Sequence, residues 1–169
     1  MIEYRDARFA DGPALGRMAE RSFLETFAHL YSKADGDAFV HEAFGPGGLP
    51  SHIGKPDYKI RLAFDGTALA GFAKIGRCTL PAPAPADAIE LKQLYVLRPW
   101  QGAGVAATLM DWTIATARAQ EGKQLVLSVY SDNERAKRFY ARYGMAEIGR
   151  NPFRVGSQID DDRIWSVML

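Results

Sequence analysis

With 169 residues, 47% hydrophobic and 24% charged side chains, the chain has the make-up of one globular domain, 1–169, large enough to bury a proper core. A formal net charge of +1 gives no general pull toward nucleic acid or membrane, and no apolar run approaches the roughly 18 residues needed to span a bilayer. The amino terminus carries charge where a signal peptide has its apolar stretch, and the single cysteine, Cys78, rules out an intramolecular disulfide. A cytoplasmic protein is the expectation.

In chain order, "IEYRDARFAD" reads as a short strand ending at Asp11, a helix N-cap. Leu15, Met18, Phe23 and Phe27 then recur at helical spacing. A second, shorter helix covers "SKADGDAFVHEAF" and is closed by the breakers "GPGGLP". Two apolar runs joined by Asp65-Gly66 predict a β-hairpin, and the proline-rich "PAPAPADA" after it predicts a loop. "IELKQLYVL" is a strand that stops at Arg98-Pro99.

From Gly104 onward, Val105, Leu109 and Trp112 give one apolar helical face. "KQLVLSVY" is apolar enough for a central strand, and "NERAKRFYARYG" is a helix with Asp132 or Asn133 as N-cap and Gly144 as its stop. The tail predicts a terminal hairpin with a polar turn near Asp160. The order β-α-α-β-β-β-α-β-α-β-β implies a mixed α/β sheet with helices packed on it.

Between the strand at 89–97 and the helix after it lies "QGAGVA", Gln101 to Ala106. Glycines let a backbone approach a ligand, and the outward amides of a helix N-terminus attract phosphate. A turn that needs glycine only for its dihedral angles is the plainer reading. The stretch lacks the closing Gly-Lys-Ser/Thr of a P-loop.

Gln101-x-x-Gly104-x-Ala106 resembles the acyl-CoA-binding signature of the GNAT superfamily of N-acetyltransferases. The strand "LYV" before it, "LVLSVYSDN" after it, and Asn133 and Tyr140 on "NERAKRFYARYGM" extend the resemblance over the second half of the chain. "RSFLETFAHLY" and "FRVGSQIDDDRIW" look more loosely similar to the PaiA-like branch, which contains polyamine acetyltransferases.

The resemblance implies an α/β fold with a mixed, largely antiparallel central sheet, helices on both faces and a splayed central strand pair. It implies transfer of an acetyl group from acetyl-CoA, with no metal, to the primary amine of a small, polyamine-like molecule within a ternary complex. A protein or peptide amine as acceptor, and a non-catalytic CoA-binding regulatory domain, are the alternatives.

It further implies that the amides of Gly102, Ala103, Gly104, Val105, Ala106 and Ala107 cradle the pyrophosphate, with Gln101 among the cofactor-binding residues. The backbone groups of Leu94, Tyr95 and Val96 would hold the pantetheine arm, with Asn133 beside it. Tyr140 becomes the candidate acid for the leaving thiolate, although its spacing beside Phe139 and Tyr143 also fits an ordinary core aromatic. Lys137 and Arg138 are candidates for the CoA 3′-phosphate or for plain helix-surface solvation.

Glu90 matches the position where some family members carry a catalytic glutamate; a solvated strand-end carboxylate, with ordered water as the base, is the other reading. Relatives with a glutamate on the following strand match Ser128 here, which cannot act alone as a base. Phe23, Phe27, His29 and Tyr31 lie where the resemblance puts the acceptor wall. The run Asp160 to Asp162 reads as a solvated turn or an attractor for a cationic acceptor. His29, His41 and His52 lack metal-ligand spacing. The apolar terminal strands could pair across a homodimer.

Overall fold

The computed structural model describes residues 1–169. Seven strands form one sheet: β1 (Ile2–Asp6), β2 (Tyr58–Asp65), β3 (Ala68–Arg77), β4 (Ile89–Val96), β5 (Gln124–Tyr130), β6 (Ala146–Val155) and β7 (Gln158–Met168). Their spatial order is β1-β2-β3-β4-β5-β7-β6. Every neighbouring pair is antiparallel except β4 and β5. This is the largely antiparallel mixed sheet that the resemblance implied.

Four helices cover it: α1 (Gly12–Phe27), α2 (Lys33–Phe44), α3 (Val105–Ala119) and α4 (Glu134–Ala141). Strand alternation divides the core between the two faces. Phe72 and Leu62 pack with Leu15, Phe23 and Phe44 under α1 and α2. Ala73, Ile75, Leu91 and Leu127 pack with Leu109 and Met110 under α3.

Local chemistry explains the helix starts, with one correction. Asp11 stands at the N-cap of α1, but its carboxylate makes no cap bond. It accepts two bonds of 2.8 Å from the Arg5 guanidinium and one of 2.7 Å from the Arg8 amide, so it ties β1 to the entry of α1. Ser32 caps α2 by accepting from the Asp35 amide at 3.1 Å. Asn133 caps α4, accepting from the Ala136 amide at 3.2 Å.

The terminal hairpin also departs from expectation. Its turn is at Gly156, with φ of +57°, and Ser157. Asp160 lies inside β7, 5% exposed. The run of three aspartates is therefore strand, with alternate members on opposite faces. Asp160 and Asp162 fall in phase with the buried Ile164, and Asp161 pairs outward with Arg163 at 2.8 Å.

The sheet is divided at its only parallel junction. β4 and β5 pair only at Ile89↔Leu125 and Glu90↔Val126. Beyond that point β4 stays with β3, and β5 stays with β7 along its whole length, so the pair splays open. β4 also bulges: the register passes from Lys74↔Gln93 to Ile75↔Leu91 and leaves Lys92 unmatched.

Candidate active site

The splay opens into a cavity of about 1020 Å³ that runs through the sheet from the start of α3 to the face under α1 and α2. At one end stands the glycine stretch. Gly102 and Gly104 have φ of +81° and +84°, the left-handed region that disfavours side chains. A Cβ added at either would meet no protein atom within 4 Å, so both glycines face open space.

Gly104 is the N-cap of α3. The amides of Gly102, Gly104, Val105, Ala106 and Ala107 donate to no protein acceptor; Ala103 donates to the Trp100 carbonyl and Thr108 to that of Gly104. Five unpartnered amides at the positive end of a 15-residue helix make an anion cradle. Of the expected cradle residues, Ala103 and Val105 do not line the cavity, and the Val105 side chain is core at 1% exposure. Gln101 is engaged by protein on both sides. Its Nε2 donates to the Val96 carbonyl at 2.8 Å and its Oε1 accepts from Arg135, which joins the end of β4 to α4 across the cleft.

The walls of the splay carry Leu94, Tyr95 and Val96 from β4 and Asn133 and Tyr140 from the α4 region. No protein hydrogen bond engages the Tyr140 hydroxyl. Burial, then the neighbouring Tyr95, push the Tyr140 phenol well above its ordinary range, and burial pushes Tyr95 up to about 12. Both phenols are therefore neutral donors at physiological pH. Arg138 lines the cavity, whereas Lys137 does not and pairs with Glu134 at 2.5 Å.

Glu90 lines the cavity but is locked. Its Oε2 accepts from the Thr79 amide at 2.9 Å, the Thr79 hydroxyl at 3.1 Å and the Lys92 ammonium at 2.6 Å. The residue is 7% exposed. This is not the solvated strand end of the plainer reading: three donors hold one carboxylate oxygen, and Oε1 accepts from no protein donor.

Under α1 and α2 the cavity is walled by aromatic rings: Phe23 and Phe27 from α1, Tyr31 from the connection, Phe39 from α2 and Phe153 from β6. Phe23 lies 4.7 Å from Phe39 and stacks on Tyr31 with centroids 5.9 Å apart. His29 is exposed and does not line it, so the structure leaves that expected wall residue outside. The floor is polar. Tyr31 donates to Asp160, and the Ser128 hydroxyl donates to Asp162 at 3.1 Å while accepting from the Asn151 amide at 3.2 Å. Neither Asp160 nor Asp162 has a lysine or arginine partner. Burial, with Asp160 and Asp161 beside it, pushes Asp162 up to about 6.

Sequence reasoning missed Phe39, Tyr130, Asn151 and Phe153 as cavity residues, and it weighed Asp160 and Asp162 as an attractor for a cationic acceptor but expected them in a turn rather than in a strand. One signal was available for the acids: Asp160, Asp162, Ile164 and Ser166 alternate in phase along a strand.

No helix is long and apolar enough to cross a membrane. Among curated relatives, an uncharacterized N-acetyltransferase of Mycobacterium tuberculosis is 38% identical over 76 residues, 45% of this chain and 49% of that protein. The chain thus spans about half the length of the relatives it matches at that identity. An uncharacterized N-acetyltransferase of Lactobacillus delbrueckii subsp. lactis is 25% identical over 161 residues, 94% of this chain and 90% of that protein.

Two solved structures share the fold. The PaiA N-acetyltransferase of Thermoplasma acidophilum, in complex with coenzyme A, superposes with a TM-score of 0.79 at 20% identity, covering 100% of this chain and 99% of that one. The ribosomal-protein-S18-alanine N-acetyltransferase of Escherichia coli superposes with a TM-score of 0.68 at 18% identity, covering 99% and 94%. The profile of the acetyltransferase (GNAT) family matches residues 19–145, well over half of the sequence, and this chain belongs to that family.

Proposed function

We propose that residues 1–169 act as one acetyl-CoA-dependent N-acetyltransferase domain whose acceptor is a primary amine on a small, polyamine-like molecule. One observation carries the reading. A single cavity joins an anion cradle at the start of α3 to an aromatic pocket floored by Asp160 and Asp162, two carboxylates without a cationic partner. A donor with phosphates suits the first end and an ammonium acceptor suits the second.

The residues present fit acetyl-CoA. The amides of Gly102, Gly104, Val105, Ala106 and Ala107 would hold the pyrophosphate, with Gly102 and Gly104 leaving room for close approach. Backbone groups of Leu94 and Tyr95, freed where β4 leaves β5, and of Val96, whose carbonyl already accepts from Gln101, would hold the pantetheine arm and the acetyl oxygen. Asn133 would flank that arm. Gln101 keeps the cleft mouth in shape through Val96 and Arg135.

Tyr140 would act on the leaving sulfur. Its raised pKa makes outright proton transfer to a thiolate, whose reference pKa is about 8.5, uphill; hydrogen-bond donation from a neutral phenol costs no such transfer. The amine arrives as an ammonium with a reference pKa near 10.4, so its neutral form costs about 4.6 kcal/mol at pH 7. The ammonium proton needs an acceptor in the cavity, and Glu90 is tied through Oε2 to Thr79 and Lys92.

Thiol release from acetyl-CoA across an amine panel tests the reading. Release with spermidine and not with peptides is the expected result. Release only with peptide amines would transfer the chain to protein acetylation, and acetyl-CoA binding without release by any amine would leave a CoA-binding domain.

A further inference from the structure

We propose that Asp162, acting through the Ser128 hydroxyl, takes up the proton that converts the acceptor ammonium into the attacking amine; this rests on the N-acetyltransferase reading above. Ser128 lies on β5, at the side of the sheet where β5 has parted from β4, and lines the cavity. Its hydroxyl is oriented from behind. Because Oγ accepts from the Asn151 amide at 3.2 Å, its own hydrogen is directed to Asp162 Oδ2 at 3.1 Å. The second lone pair of that oxygen is free to accept from a substrate nitrogen.

Asp162 has no cation of its own. Facing it are Tyr130 from β5, Tyr31 from the connection between α1 and α2, Tyr95 from β4, and Asp160 of its own strand, while Asp161 acts from the opposite face. Arg163, the next residue, is held by Asp161 and Glu147 on the opposite face. Burial first, then Asp160 and Asp161, lift Asp162 to about 6 against the opposing bond from Ser128. A carboxylate in that range is charged at neutral pH and more basic than an ordinary aspartate.

The step balances without any further reactant. The ammonium N–H proton passes to Ser128 Oγ as the serine proton passes to Asp162 Oδ2, and Asp162 later releases it to solvent. The freed nitrogen lone pair forms the C–N bond at the thioester carbonyl. When the C–S bond breaks, its electron pair stays on sulfur, and the second nitrogen proton matches the one that the CoA thiolate takes up.

Asp162→Asn and Ser128→Ala test this, read by thiol release with spermidine from pH 5 to 10 and by calorimetric acetyl-CoA affinity. Asp162→Asn should lose at least about tenfold in turnover at pH 7, lose the acidic limb near pH 6, and recover as rising pH deprotonates the amine unaided. Acetyl-CoA affinity should stay within about twofold of wild type. Ser128→Ala, which keeps the carboxylate, should lose the same limb, and it carries the test alone if the asparagine variant no longer binds acetyl-CoA. An acidic limb unchanged in both overturns the relay and leaves the acetyltransferase reading standing. Wild-type protein that binds acetyl-CoA but releases thiol with no amine overturns both.

Discussion

Gly104→Val separates the two jobs of the glycine stretch. At φ of +84°, a β-branched side chain costs about 1–2 kcal/mol or more of backbone strain. For a domain of this size that amounts to a fall in Tm of roughly 2–8 °C. The added Cβ meets no protein atom within 4 Å, so it creates no internal clash and the variant should fold. It stands at the N-cap of α3, next in sequence to the free amides of that helix's first turn. Losing one charge-assisted bond there costs about 1.5–3 kcal/mol, a roughly tenfold to hundredfold weaker Kd for acetyl-CoA. Calorimetry gives the affinity and a thermal melt gives the strain. Gly104→Ala should show much of the strain with less of the affinity loss. Wild-type affinity in a folded Gly104→Val protein would refute the pyrophosphate cradle, whatever the melt shows.

Tyr140→Phe removes a hydroxyl that no protein group engages, so steady-state turnover should fall about tenfold to a hundredfold while acetyl-CoA affinity holds within about twofold; unchanged turnover removes the residue from the chemistry. Glu90→Gln weakens the charged bond to Lys92 and should cost about 1–3 kcal/mol in a denaturant melt while the acidic limb of the pH–rate profile survives; loss of that limb would return the base role to Glu90. Asp162 is raised from 3.8 to about 6, so between those values the folded state binds more protons than the unfolded one, and stability falls as pH rises. Asp162→Asn should therefore gain about 1–2 kcal/mol on wild type between pH 4 and 7, after solvent screening, and hold that margin above; a pH-independent difference in Tm contradicts it.

Most of the fold was legible because its signals are local. Asp65-Gly66, the break at Arg98-Pro99 and the cap at Asn133 each act within a few residues, and all stand at element boundaries as read. The splay of β4 from β5 is not local. It follows from β4 pairing with β3 and β5 with β7, which no single strand encodes, and only the family resemblance announced it. Asp11 shows the limit within one turn: its position was readable, but its partner Arg5 comes from another element. The aspartate run misled because three adjacent acids suggest solvent, whereas strand alternation sends one outward and two inward. The donor end of the cavity is built from backbone, with a spacing that survives as a motif. The acceptor end is built from side chains of α1, α2, β5, β6 and β7, which meet only after folding.

The net charge of +1 conceals an uneven spread of charge along the cavity. Arg135, Arg138 and Arg142 line it at α4, Arg98 lines it between α1 and α3, Asp160 and Asp162 line it beneath α1 and α2, and Glu25, Glu90 and Lys92 complete its charged wall. The four arginines are exposed, so the cost of this division falls on Asp160 and Asp162, whose burial removes hydration that no counterion replaces. Two of the arginines are engaged: Arg98 donates to the Glu25 carbonyl at 2.7 Å, and Arg135 to Gln101. The two carboxylates are satisfied by neutral donors alone, Tyr31 for Asp160 and Ser128 for Asp162. A hydroxyl stabilises a carboxylate without cancelling its charge, so the floor of the cavity keeps its attraction for a cation. An anionic reactant at one end and a cationic one at the other would each relieve the charge they meet. Their entry from opposite sides of the sheet would bring amine and thioester together at the splay, beside Tyr140 and Ser128.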